Sequence, residues 1–478
     1  MRKFCYVLIC FLVLACNGKK NEPLLLSFYS DANYVNYPQD GGRGRVVISE
    51  KAQKEGINID FVREYIPQNE YRAVLEQNLL LETSAMAFPI HKDQIQNLAE
   101  LGLILPLTKY LARMPHYISK LKDSSLDNYI YNGDLYALPR VSRPEGFNGY
   151  NTRNGWAIRT DWLESLNLDM PETLEDLEDV LRQFTEMDPD QNGMDDTYGL
   201  SLDFNHSMLW GAFGLSYSEN FENWILDGES LIHTTTHPQV ENILKLYHSW
   251  YEKGYISPES FIQTGLAIQS KANVGISSIS VWNLNRLNVT WKNEGKSSHL
   301  AIMLPVIGPE GDRGYDNDPF LSNGLAISAN LSEVEVDGLI RFLDWICDDS
   351  EEGGFYTVSY GIEGEHYILD KENNRINLLS TYDDLYKTGF SNPVRFISVI
   401  DRRWITSQEL LDNIEILNDP ENLVNEDHIY KFVLENDTKL KLQKRWEQTM
   451  VSIITGTADL STWHDYVELF NKEIQDLP

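Results

Sequence analysis

Residues 156–200 read "WAIRTDWLESLNLDMPETLEDLEDVLRQFTEMDPDQNGMDDTYGL". This stretch holds a complete local unit. Thr173 and Asp176 form a capping box, in which each side chain serves a backbone N–H that a starting helix leaves unpaired. Leu174, Leu177, Leu181, Phe184 and Met187 then recur at helical spacing and give one apolar stripe. The stripe stops at an acidic loop, and "YGLSLDF" beyond it reads as a strand.

The loop has calcium-like spacing. Calcium takes six to eight oxygen ligands at about 2.4 Å. Asp188, Asp190 and Asn192 fall at positions one, three and five, Gly193 permits the sharp turn, Met194 offers its carbonyl at seven, and Asp196 falls at nine. Position twelve is Gly199 where an EF-hand has its bidentate Glu. A strand follows instead of the second helix a calcium sensor moves. A sensor is therefore excluded, which leaves a structural calcium clamp or a solvated acidic turn.

Working outward, strands and helices alternate. "LLLSFYS" (24–30) suits a buried strand, "INIDFV" (57–62) alternates with period two, and "EYRAVLEQNLLLE" (70–82) is helical. Val240, Ile243, Leu244, Tyr247 and Tyr251 line one helix face, and Gly254 suits its C-terminal cap. "VGISS" (274–278) and "HLAIMLPV" (299–306) read as buried strands, and "DGLIRFLDWICDD" (337–349) as an amphipathic helix. The C-terminal third is helix-rich. Such alternation argues for an α/β fold in layers.

The N-terminus has a separate task. Arg2 and Lys3 precede an apolar run from Phe4 to Leu14. That run is well short of the roughly 20 residues that span a bilayer, but has the size of a signal h-region. Its end, Val13-Leu14-Ala15-Cys16, resembles a lipobox. Residues 1–15 are thus expected to be a lipoprotein signal peptide, Cys16 the lipidated first residue, and 16–23 a tether. An ordinary signal cut near Ala15 is the alternative. Export leaves Cys347 as the single remaining thiol, on an apolar helix face where packing is its expected role.

The chain of 478 residues carries a formal charge of −32, which becomes −34 once Arg2 and Lys3 are lost. A surface this acidic repels nucleic acid and anionic lipid. Catalytic signatures are missing: there is no G-x-S-x-G, and "HTTTH" (233–237) lacks the Glu of a zinc-protease helix.

At this point several blocks fall into one pattern. The stretch 156–200, "YHSWYEKGYISPE" (247–259), "FLSNGLAIS" (320–328), "FLDWICDDSEEGGFYTVSYGIEGEHY" (342–367) and "IITGTADLSTWHDYVELFNKEI" (453–474) resemble, in order, the extracellular solute-binding proteins of family 1. These serve ABC importers, in the branch with lipoprotein and alginate-binding members. The likeness runs over about 24–478. It implies a two-lobed periplasmic-binding-protein-like fold with a hinge and a ligand cleft, and no catalysis. The expected division is 24–145 with about 310–385 for the first lobe, and 146–309 with about 386–478 for the second. It also implies a structural Ca2+ at the acidic loop, with Thr197 as a ligand at position ten. One departure stands out: "TSAMAFPIHKD" (83–93) replaces the family's usual Gly-Asp-x-Pro-Asp turn.

Aromatic side chains are plentiful, at 11% of the chain. Their flat apolar faces stack on the C–H faces of sugars. Trp282 lies just past the apolar strand "VGISSISVW", Trp210 lies in "HSMLWGAFG" beside two glycines that could let a ligand approach, and Trp404 lies in "DRRWIT" directly after two arginines available for acidic sugars. All three are candidate ligand contacts, whereas Trp250 and Trp345 sit on amphipathic helices and are assigned to the core. The expectation is a monomeric, lipid-anchored receptor on the extracytoplasmic face of the membrane. It would capture an oligosaccharide for the membrane subunits of an ABC importer. A glycan-active enzyme and the binding subunit of a sensor are the alternatives.

Overall fold

The computed structural model describes residues 22–30, 37–121, 126–139, 154–202, 207–217, 221–228, 230–261, 273–316, 323–372, 375–393, 407–425, 428–432, 434 and 436–475. Cys16 and Trp404 lie outside them. Two hydrophobic cores organise the chain. One gathers buried residues from Leu26 to Leu138 and from Leu325 to Ile376; the other gathers Trp156 to Tyr315 and Leu410 to Phe470.

The first lobe is built on a five-stranded sheet. Its strand order is Ile59–Tyr65, Leu24–Ser30, Ala87–His91, Asn323–Ile327 and Leu138–Pro139. Leu24–Ser30 and Ile59–Tyr65 pair in parallel along their whole length, from Leu24 opposite Ile59 to Ser30 opposite Tyr65. The returning strand Asn323–Ile327 runs antiparallel to Ala87–His91. Helix Glu333–Trp345 packs on this sheet, and Phe342 meets both Phe28 and Phe61 at ring-centroid distances of 6.0 Å. Ser332 and Glu335 form its capping box, so the helix begins before the 337 that the sequence pattern suggests. Cys347 is fully buried there, and burial pushes its thiol pKa up, which suits packing rather than reactivity.

The second lobe has a four-stranded sheet in the order Leu300–Ile302, Asn154–Arg159, Val274–Ser280 and Tyr198–Ser201. A smaller sheet joins Ser230–His233, Asn223–Asp227 and Ile429–Lys431. Long helices Gln239–Glu252, Asn436–Ile454 and Ser461–Gln475 complete the lobe. Only three residues of the apolar stretch 299–306 are paired as strand. They form the sheet's edge, where Leu304 is already exposed.

The chain passes from lobe to lobe between Pro139 and Asn154, between Asp316 and Asn323, and between Pro393 and Ser407. The second passage falls later than position 310. Val306 and Tyr315 are core residues of the second lobe, and the Tyr315 hydroxyl donates to the Met303 carbonyl at 2.9 Å. The third falls later than 385, because Gly389 lies against Gly41 and Gly44 of the first lobe; a Cβ on Gly44 would stand 2.1 Å from the Gly389 carbonyl carbon. Among the described residues no helix is long and apolar enough to cross a membrane.

Candidate functional site: the interlobe cleft and the acidic loop

Strand Val274–Ser280 lies inside the second lobe's sheet, and its last residue pairs with Asn154, the first described residue after the chain enters this lobe. Ser280 then caps helix Val281–Asn293, its hydroxyl accepting the Asn283 N–H at 3.3 Å. Trp282 stands in the first turn of this helix, half-buried, with part of its ring packed on the lobe's core. Part of its ring stays accessible to solvent.

Trp210 is different. It is 1% exposed, its ring 5.2 Å from Tyr217 and 6.0 Å edge-on from Trp446. The neighbouring glycine serves packing as well, since a Cβ on Gly211 would fall 1.9 Å from the Gly314 carbonyl oxygen. What approaches Gly211 is protein backbone. The expectation of Trp210 as a ligand contact is corrected: it is a core side chain. Trp250 and Trp345 are buried, as assigned.

Sequence reasoning missed an exposed aromatic pair. Tyr430 on the edge strand Ile429–Lys431 and Phe432 just past its end are 42% and 50% exposed, with rings 6.4 Å apart and nearly parallel at 14°. The Phe432 N–H donates to the Glu222 carbonyl at 2.9 Å. The available signal was the period-two spacing in "HIYKF".

Glu222 also meets the other lobe. Its carboxylate lies 3.5 Å from Lys92 Nζ, and beside it Lys439 Nζ lies 3.2 Å from Asp93 Oδ2. Lys92 and Asp93 occupy the turn Lys92–Gln94 that directly follows strand Ala87–His91. Asp93 also receives Arg72 at 3.2 Å. The His91 ring meets Asp93 twice, its Nδ1 lying 3.4 Å from the Asp93 backbone nitrogen and 2.9 Å from Oδ1. Burial opposes the charge on Asp93, but His91, Arg72 and Lys439 outweigh it and hold the carboxyl well below the usual range.

The acidic loop hangs between helix Leu174–Glu186 and strand Tyr198–Ser201, far along the chain from these cleft residues. The capping box of Thr173 and Asp176 starts that helix, as its sequence indicates. Asp188, Gln191 and Gly193 all adopt positive φ, which curls the loop. The Asn192 amide donates to Asp190 Oδ2 at 3.0 Å and to Asp196 Oδ1 at 3.2 Å, while Asp188 accepts the N–H groups of Asn192 and Gly193 at 3.1 and 3.0 Å. Partial burial, a hydrogen bond to Asp188 and the nearby charges of Asp196 and Asp188 raise the Asp190 pKa. Asp188, Asp190 and Asp196 thus share one short loop, tied together through Asn192. Their oxygen-rich chemistry fits a hard divalent ion. As the loop stands, its carboxylates are turned to amides. Among the described residues no group of three or more His, Cys, Asp or Glu side chains is poised for a metal.

Two details of the loop are explained by tertiary contacts. Thr197 is buried, and its hydroxyl donates to the Phe184 carbonyl at 2.9 Å, so its visible role is to close the loop onto the helix. Gly199 replaces the usual acid at position twelve because the strand passes close to the helix. A Cβ there would lie 2.6 Å from the Leu181 carbonyl oxygen.

Comparison with known proteins agrees with this architecture. No family model matches the chain. The polygalacturonan/rhamnogalacturonan-binding protein YtcQ of Bacillus subtilis is 25% identical over 380 residues, covering 78% of this chain and 72% of YtcQ. Lipoprotein LipO of Bacillus subtilis is 25% identical over 398 residues, covering 78% of this chain and 74% of LipO. Among solved structures, an EF-hand mutant of the ABC-transporter substrate-binding protein FusA of Streptococcus pneumoniae, in complex with fructo-nystose, superimposes with a TM-score of 0.71. That match covers 94% of this chain and 96% of FusA at 16% identity. With two α/β lobes, an interlobe boundary and likenesses that run along most of the chain, the protein is similar in sequence to binding proteins of this kind over 78% of its length and shares the two-lobed fold of ABC-transporter substrate-binding proteins.

Proposed function

We propose that the protein captures a neutral or mildly acidic oligosaccharide in the cleft between its lobes and delivers it to the membrane subunits of an ABC importer. The observation that carries this reading is the two-lobed fold, shared over most of its length with sugar-binding relatives. Hinge closure would enclose the ligand, with Trp282 as a stacking surface. The strongly acidic surface works against polyanions. A thermal-shift screen of fructooligosaccharides, oligogalacturonides and short peptides, followed by calorimetry, tests it. Stabilisation by at least one sugar class and by no peptide is expected; a peptide-only response overturns the reading.

Calcium at Asp188, Asp190, Asn192, the Met194 carbonyl and Asp196 is part of the same proposal. It is supported by the calcium-like spacing of the acidic residues and by the EF-hand of FusA. Thr197, tied to Phe184, closes the loop behind the ion. Calcium at ~100 times its dissociation constant would add about 2.7 kcal/mol of stability. Melting with calcium and with chelator should differ accordingly, and Asp190→Ala should abolish that difference. Equal melting curves in both conditions would reduce the loop to a turn.

Lipidation at Cys16 supplies the membrane attachment in this reading, since two or three acyl chains hold a protein firmly where one does not. Mass spectrometry of the mature N-terminus is expected to find a diacylglyceryl-modified cysteine. An unmodified N-terminus at another residue would remove the anchor.

A further inference from the structure

Adjacent residues of opposite charge in one lobe face residues of opposite charge in the other. Lys92 and Asp93 belong to the first lobe, Glu222 and Lys439 to the second. The side chains of Glu222 and Asp93 are each only 4% exposed, and that of Lys439 10%. None of the four lies on a segment where the chain passes between lobes. The contact is therefore a second, non-covalent connection, separate from the hinge.

We propose that these reciprocal pairs form a clasp that holds the two lobes together in the absence of ligand. The alternation of signs makes the clasp selective for one register, because a displaced docking would set Lys92 against Lys439 or Asp93 against Glu222. Burial gives it strength that surface ion pairs lack, since partly desolvated charges are poorly screened by salt. A clasp of this kind biases the open–closed balance before any solute arrives. The apparent affinity for ligand then depends on residues that do not touch it, through the fraction of molecules already in the competent arrangement. This goes beyond the identity of the ligand and does not require the sugar reading to hold.

The two sides of the clasp differ in robustness. Asp93 keeps Arg72 and His91 when Lys439 is lost, so Lys439→Met removes the interlobe link without orphaning a buried carboxylate. Methionine also preserves the apolar stem of the lysine. Glu222 has Lys92 as its ion-pair partner, and Lys92→Met tests that side.

Small-angle X-ray scattering on the ligand-free protein decides the matter. Lys439→Met is expected to raise the open-to-closed ratio roughly 30-fold, the low end for truncating one partner of a buried charge pair. The radius of gyration should increase accordingly. Lys92→Met should act in the same direction. If scattering from both single variants superimposes on that of the parent while their melting temperatures fall, the charges serve local stability and the clasp is wrong. Should Lys439→Met fail to fold, Lys92→Met carries the same expectation and the same refutation. Loss of sugar binding in the parent would overturn the proposed function and leave this scattering result standing.

Discussion

Trp210→Ala is expected to destabilise the protein by about 3–5 kcal/mol, the range for removing a tryptophan from a packed core. The indole fills space between Tyr217 and Trp446, and Trp446 belongs to helix Asn436–Ile454, so one truncation loosens contacts from segments far apart in the chain. Chemical denaturation should show a lower midpoint with little change in slope. Below the transition the ligand affinity should stay near that of the parent, because Trp210 offers no surface to a solute. A variant that melts normally but binds sugar weakly would put Trp210 back in the ligand site.

Trp282→Ala should behave in the opposite way. A central aromatic anchor commonly contributes at least ~2 kcal/mol to binding, about 30-fold in affinity. The ring is half-buried, so its removal should lower stability by much less than the loss of Trp210. Calorimetry with the sugar found in the thermal screen, run beside denaturation of the same variant, separates the two roles. Intact affinity with a collapsed melting temperature would assign Trp282 to the core instead. The pair of variants is more informative than either alone: the same chemistry is deleted from one lobe at sites that differ in exposure.

That contrast also marks what the sequence made legible. The helix at Leu174–Glu186 was readable because its signals are local: a capping box and apolar residues at helical spacing. Helix Gln239–Glu252 and its terminating Gly254, with φ of 75°, were readable for the same reason. The role of Trp210 was not, because burial depends on partners such as Trp446 that no local window contains. Gly199 looked like a missing ligand, and only the nearby Leu181 backbone explains it. The clasp was also hidden. Asp93 and Lys439 are 346 positions apart, and both look like ordinary surface charges in a chain full of them. Lys92 and Asp93 do fall in the segment 83–93 that departs from the family pattern, which was the one sequence hint that the first lobe's edge is unusual.

The place of strand Leu24–Ser30 has a mechanical consequence. It lies between two neighbours in the first lobe's sheet and is bonded along its full length to Ile59–Tyr65. Backbone hydrogen bonds run across strands, so tension applied along the chain ahead of Leu24 loads that ladder in shear, with many bonds strained together rather than one at a time. The first lobe can thus bear a pull from its N-terminal side before the load reaches the interlobe passages and the second lobe.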